Sequence, residues 1–206
     1  MQPIAHHSRN TGARLAAVAS RWAACGLRWM LLLALLPGLR SAGETDTGPT
    51  EYQVKAVFLF NFAKFIEWPA AKLGGPDSPL VIGIIGDNPF GTLLEETIKD
   101  QAINGHKLVS RAISTTAEAV ACHIVFISRS EKERLRPLLA ALKGQPVVTV
   151  SELRGFAQDG GMIALVLLNG RVKLEINPAA AGEAGVKLSS KLLSIARITP
   201  EPKHEP

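Results

Sequence analysis

Few residues in this chain are of types that do chemistry, and their spacing decides most cases. Outside the N-terminal segment the histidines are His106, His123 and His204. They fall in a predicted turn, a predicted strand and a terminal tail, so they do not converge as metal ligands must. Cys122 adjoins His123, but neighbours on a strand point to opposite faces. The pair therefore neither chelates a metal nor supplies a nucleophile with its base, and a buried, inert thiol is expected. Ser189-Ser190-Lys191 sets hydroxyls beside an amine, yet adjacent helical residues do not face each other and the Ser-x-x-Lys spacing is absent. Gly83-Ile84-Ile85-Gly86 lies between a strand and a helix, where a dinucleotide loop belongs, without the G-x-G-x-x-G pattern. Asp87 follows at the expected carboxyl edge of a sheet, either as a ligand contact or, more simply, as a helix cap. The strand through Cys122 ends at Ser128 rather than at an acidic phosphoacceptor, which excludes a receiver domain. The reading is of no catalytic residue, no metal and no cofactor. A hydrolase acting through Ser190 or Asp87 would lack its base.

The elements that position these residues follow from periodicity. Glu51 to Ile66 reads as a helix, with Val54, Val57, Phe58, Asn61, Phe62 and Phe65 recurring along one face. Leu59, Phe60 and Ile66 make it apolar nearly all round, as in a buried or interfacial helix. Pro69 stops it after Trp68. Leu80 to Ile85, Lys107 to Ile113, Cys122 to Ser128 and Pro146 to Val150 read as strands. Between them lie a helix from Asp87 or Asn88 to about Lys99, and a Ser130-capped helix from Glu131 to Lys143 in which Pro137 implies a kink or a late start. Ser151 to Ala157 reads as a short helix. Met162 to Leu168 and Arg171 to Asn177 form a hairpin about Asn169-Gly170, the preferred two-residue turn. A closing helix starts at Asn177-Pro178, with Leu188, Leu192 and Ile195 as its stripe. The order predicts an α/β fold in three layers: a mainly parallel sheet flanked by helices, with a C-terminal antiparallel hairpin and a closing helix.

Charge separates the leader from the rest. Residues 1–42 contain Arg9, Arg14, Arg21, Arg28 and Arg40 and no acid, and Met30 to Leu36 is a short apolar run followed by Pro37 and by small residues at 41–43. That is a secretion signal over residues 1–43. The run is shorter than the roughly 20 residues a span needs, so a retained membrane anchor is the weaker alternative. Ser41-Ala42-Gly43 fits the cleavage rule better than a cut after Ala42. Without this leader the basic excess disappears, since its five arginines account for the whole surplus of 23 Lys+Arg over 18 Asp+Glu. The basic surface that nucleic acid requires is therefore missing. The expected organisation is a signal (1–43), a flexible arm (44–50), one α/β domain (51–198) and a disordered tail (199–206).

Two groups of residues are candidate contacts. Tyr52, Phe58, Asn61, Phe62, Phe65 and Trp68 on the first helix suit the core or an interface, and Asn61 on an apolar face must find hydrogen-bond partners, as in a tie to neighbouring backbone. Lys173, Glu175 and Asn177 of the hairpin, with Lys187, Ser189, Ser190 and Lys191 nearby in the closing segment, form either a small-anion or partner site or a solvated face.

Three stretches carry a resemblance. Residues 52–69 (YQVKAVFLFNFAKFIEWP), residues 81–90 (VIGIIGDNPF), and residues 169–177 (NGRVKLEIN) with 184–193 (AGVKLSSKLL) are similar to the opening helix, first strand and closing segment of the YfiR/HmsC-like family. The match runs from about Glu51 to Arg197. It implies a periplasmic α/β domain, often homodimeric, that represses a membrane-bound diguanylate cyclase through the enzyme's periplasmic sensor region. It also implies an OmpA-like outer-membrane lipoprotein as the rival partner, with cyclic di-GMP and biofilm formation as outputs. Other members serve signalling kinases and outer-membrane receptors, so a periplasmic small-molecule sensor is the alternative. The family's founding repressor is tied by disulfides. Beyond the leader this chain has Cys122 alone, so redox gating within the chain does not carry over.

Overall fold

The computed structural model describes residues 50–199. The secretion signal, nearly all of the arm and residues 200–206 of the tail lie outside them. In chain order the elements are α1 (Glu51–Phe65), β1 (Ile66–Glu67), α2 (Ala70–Leu73), β2 (Leu80–Ile85), α3 (Leu93–Ile98), β3 (Ala102–Ile103), β4 (His106–Ile113), α4 (Thr116–Val120), β5 (Ile124–Ile127), a 3-10 helix (Arg129–Arg134), α5 (Leu135–Leu142), β6 (Val148–Ser151), β7 (Ile163–Leu168), β8 (Arg171–Ile176), α6 (Pro178–Glu183), β9 (Lys187–Leu188), α7 (Ser190–Ser194) and β10 (Arg197–Ile198).

An eight-stranded sheet runs in the order β10-β8-β7-β6-β5-β2-β4-β3. From β4 to β7 every neighbour is parallel, while β8 returns antiparallel to β7 and β10 lies parallel to β8. A second, two-stranded sheet pairs β1 with β9. The large sheet is buried on both faces, which is why its central strands are continuous apolar runs. One core lies under α1, α3 and α7 and contains Leu59, Phe62, Phe90, Leu94, Phe126 and Leu192. The other lies under α4 and α5 and contains Ile85, Val125, Leu138, Leu142, Phe156 and Val166. The three layers are those expected.

Two glycine positions are dictated by geometry. In β2, a Cβ on Gly83 would lie 2.7 Å from Cys122 Sγ and 2.8 Å from Ile113 Cδ1, so the buried thiol occupies the space of the missing side chain. In the hairpin, Asn169 and Gly170 have φ of 51° and 71°, as a type I′ turn requires.

Local expectations fail where glycine interrupts or ends a helix. The segment 152–160 forms turns rather than a helix, with Gly155 (φ +81°) and Gly160 (φ +98°) in the left-handed region that interrupts one. The closing helix is split in two. Gly185 (φ +66°) terminates α6, the chain passes through β9 to pair with β1, and Ser189 caps α7 afresh. Leu192 is buried, but Ile195 is 64% exposed and belongs to no core stripe. Neither Asp87 nor Asn88 caps α3, which starts later, at Leu93. Ser130 does not cap its helix, which is 3-10 as far as Arg134 before α5 begins. Pro137 then falls in the first turn of α5, where its missing N–H is harmless, so the late start is the one observed. Helix α4, unforeseen in the sequence, begins with a capping box of Thr115 and Glu118. Thr199, expected in the tail, is buried and bonded to Ile176 O through its N–H (2.8 Å) and its hydroxyl (3.0 Å).

Candidate functional site

In open parallel sheets the ligand crevice lies beyond the carboxyl ends of the strands, where the strand order reverses. Here that point is between β2 and β5, and the chain fills it. Ser130 Oγ accepts the Asp87 N–H at 2.9 Å, and Gly86 lies against Ser130 and Glu131. One strand further on, the N-terminal turn of α1 covers the end of β6. Lys55, fully enclosed, makes ion pairs with Glu51 and Glu152. Tyr52 Oη donates to Glu152 at 3.1 Å, and Arg129 Nε lies 3.5 Å from the same carboxylate. Burial, reinforced by the charge of Glu152, holds the Tyr52 phenol above its ordinary pKa. Glu152 thus has three donors around it, as a buried carboxylate requires. None of Lys55, Glu152 or Arg129 was singled out in the sequence. Lys55 follows the spacing of Leu59 and Phe62, but a lysine in an apolar stripe usually reads as a solvent-facing interruption.

The remainder of α1 presents the more open surface. Its buried stripe is Lys55, Ala56, Leu59, Phe62 and Ala63. The stripe expected from sequence is therefore rotated away from the sheet: Phe62 is enclosed, Val54, Phe58, Asn61 and Phe65 are half-buried, and Val57 is 48% exposed. The Asn61 amide has no hydrogen-bond partner among the described residues, so the expected tie to neighbouring backbone is not made. Two lysines lie over aromatic rings on this side, Lys64 over Phe60 at 3.9 Å and Lys191 over Phe65 at 5.3 Å. Serine 189 donates its N–H to Phe65 O, which seats α7 beside the end of α1. Trp68 is buried: its Nε1 donates to His123 O at 3.2 Å. His123 Nδ1 accepts the Val81 N–H (3.1 Å), so Nε2 carries the proton and donates to Lys72 O (3.1 Å). Burial, with the Lys72 ammonium nearby, lowers the His123 pKa to about 4.

The polar candidates of the hairpin and closing segment are not brought together. Val172, Leu174 and Ile176 face the α1 core, so Lys173 and Glu175 face the other side of the sheet, away from Lys187 and Lys191. Lys173 is exposed, while Glu175 is buried 3.6 Å from Arg197. Asn177 is 1% exposed; its amide donates to Ala157 O (2.9 Å) and accepts from Ala180 N (3.2 Å), making it a cap. Ser189 caps α7 through Leu192 N at 3.2 Å. Ser190, Lys187 and Asp87 are exposed.

A doubly wound domain with its ligand crevice closed by its own side chains, and with an apolar helix face left open, has the character of a binding module. The family model described as YfiR/HmsC-like matches residues 52–197, and the chain belongs to that family. Membership supports a periplasmic, regulatory and non-catalytic role in cyclic di-GMP signalling. Among the described residues no helix is long and apolar enough to cross a membrane. No curated protein matches the sequence. Among solved structures, the chain is similar to a conserved domain protein from Vibrio cholerae O1 biovar El Tor, with a TM-score of 0.45, 14% identity, and 59% of this chain and 55% of that chain covered. It is also similar to an ABC domain in complex with L-Trp from Streptococcus pneumonia, with a TM-score of 0.42, 12% identity, and 58% and 55% covered. The chain thus spans little more than half the length of each.

Proposed function

We propose that this domain is a periplasmic regulator that binds the sensor region of a membrane-bound diguanylate cyclase and holds the enzyme inactive, lowering cyclic di-GMP and biofilm formation. An OmpA-like outer-membrane lipoprotein would relieve the repression by competing for the regulator. The open face of α1 carries the reading: Val57 is 48% exposed and Phe58, Phe60 and Phe65 are incompletely covered. Such a surface gains free energy when a partner removes it from water. Homodimerisation belongs to the same proposal and is read from the mass in solution by light scattering. The functional test is cellular cyclic di-GMP in the native host with and without the gene. A rise on deletion, reversed by the full chain and not by a form lacking residues 1–43, is expected; no change with the protein expressed refutes repression.

A second reading rests on a cavity of about 360 Å³ at the amino end of the sheet, lined by Arg136, Leu139, Lys143, Asp159, Met162 and Glu183 among others. It suits a small charged ligand, and hence a sensor feeding a histidine kinase or an outer-membrane receptor. A rise in Tm with such a ligand, abolished by Arg136→Ala, would favour it.

A further inference from the structure

We propose that the face formed by the second half of α1 and by α7 docks onto an acidic protein surface, with Lys64 and Lys191 leaving the rings of Phe60 and Phe65 to pair with the partner's carboxylates. This deepens the regulatory reading by assigning it a surface and a partner chemistry. Lys64 lies over Phe60 and Lys191 over Phe65, both lysines exposed, and Lys187, also exposed, stands directly across the β1–β9 pair from the exposed Glu67. None of the three lysines makes a salt bridge among the described residues. Lys64 and Lys191 rest on aromatic faces instead, a weak contact at an exposed site. A desolvated carboxylate is a stronger partner for an ammonium than a phenyl ring in water. Moving the two ammoniums onto carboxylates uncovers the rings for apolar contact, so charge pairing and aromatic burial would occur together.

The same charges argue against a second copy on this face. A two-fold interface sets the same patch against itself, bringing two copies of Lys64 and Lys191 into one interface. An acidic, partly apolar surface is the complement that the residues describe.

The test uses the full chain in the native host, with Asn61→p-benzoylphenylalanine as a photo-crosslinker on the outward side of α1, and the adduct mapped by mass spectrometry. The expected adduct joins residue 61 to a segment of another protein bearing Asp or Glu. Adding Lys64→Glu and Lys191→Glu should cut its yield at least tenfold, while Lys64→Arg with Lys191→Arg keeps it. Lys132→Glu with Lys173→Glu, both exposed and on the opposite side of the sheet, should leave it unchanged. Unaltered Tm of the purified variants excludes misfolding. The proposal is overturned by no adduct from exported protein, by an adduct to a second copy or to lipid alone, by a joined segment without carboxylates, or by an adduct that survives charge reversal. Cyclic di-GMP is measured in the same strains. An acidic partner that is not a cyclase, with cyclic di-GMP unmoved by deletion, refutes the repressor reading and leaves the docking face standing. A cyclic di-GMP effect that survives the charge reversal refutes the docking face alone.

Discussion

Lys55 and Lys64 stand about two and a half turns apart on one helix in opposite circumstances. Lys55 is sealed against the sheet between two carboxylates, while Lys64 lies in solvent over a phenyl ring. The first half of α1 is therefore committed to the fold through charge, and the second keeps a cation and several rings available. A buried charge tolerates no loss of its partner, whereas an exposed one gives up its contact at little cost. One helix can thus be both anchored and open.

Substitutions that should separate the two ends run from large to small. Lys55→Ala removes the one enclosed cation from Glu152, leaving it Tyr52 and the exposed Arg129, and should lower stability by about 3–5 kcal/mol in urea unfolding. Lys55→Met combined with Glu152→Leu should recover much of that loss. If the double variant is as unstable as the sum of the single ones, the anchoring account is wrong. Gly83→Ala tests packing away from α1: it drives a methyl group into Cys122 Sγ and Ile113 Cδ1 and should cost about 1–3 kcal/mol, with Cys122→Ala in the same chain relieving part of it.

His123, which holds the far end of this segment through Trp68, should give stability a pH dependence. The folded ring titrates at about 4 against 6.5 for the free group, so the unfolded chain takes up the proton first as the solution is acidified. The contribution is whole above pH 6.5, declines as the pH falls from there towards 4, and is lost below. The urea midpoint of the wild type should accordingly drop between pH 7 and pH 4.5 by more than that of His123→Gln. A His123 ring shown by NMR to be protonated at pH 6 would contradict it. The smallest stability effects belong to the open end: Val57→Ser and Lys64→Gln should each shift the urea midpoint by no more than about 0.5 kcal/mol in stability. A large loss in either would mean that this face is part of the core.

Most of the sheet was legible because its buried strands are apolar runs, as in Leu80 to Ile85 between Pro79 and Gly86, and because Asn169-Gly170 is a strong turn signal. Helix α1 was legible as a helix but not in orientation. Its apolar residues surround the axis, so periodicity selected the stripe from Val54 to Phe65, while tertiary packing turned Leu59 and Ala63 inward. The buried Lys55 and Glu152 lie 97 residues apart, and nothing local marks them as partners. The break at Gly185 was visible as a glycine, but the pairing of β9 with β1 that follows it depends on a strand more than a hundred residues earlier. For the candidate site, sequence supplied the aromatic residues of α1 and the lysines of the closing segment; only the fold revealed that Lys191 joins the α1 face and Lys173 does not.

The contacts that seat α1 also set an order of events. This helix is synthesised before the sheet, yet the groups that hold it, Glu152 and the Phe65–Ser189 link, come from the last third of the described chain. Such long-range closure makes for slow folding. Throughout that interval a segment rich in phenylalanine has no sheet to lie on, and newly made chain is most exposed to aggregation there.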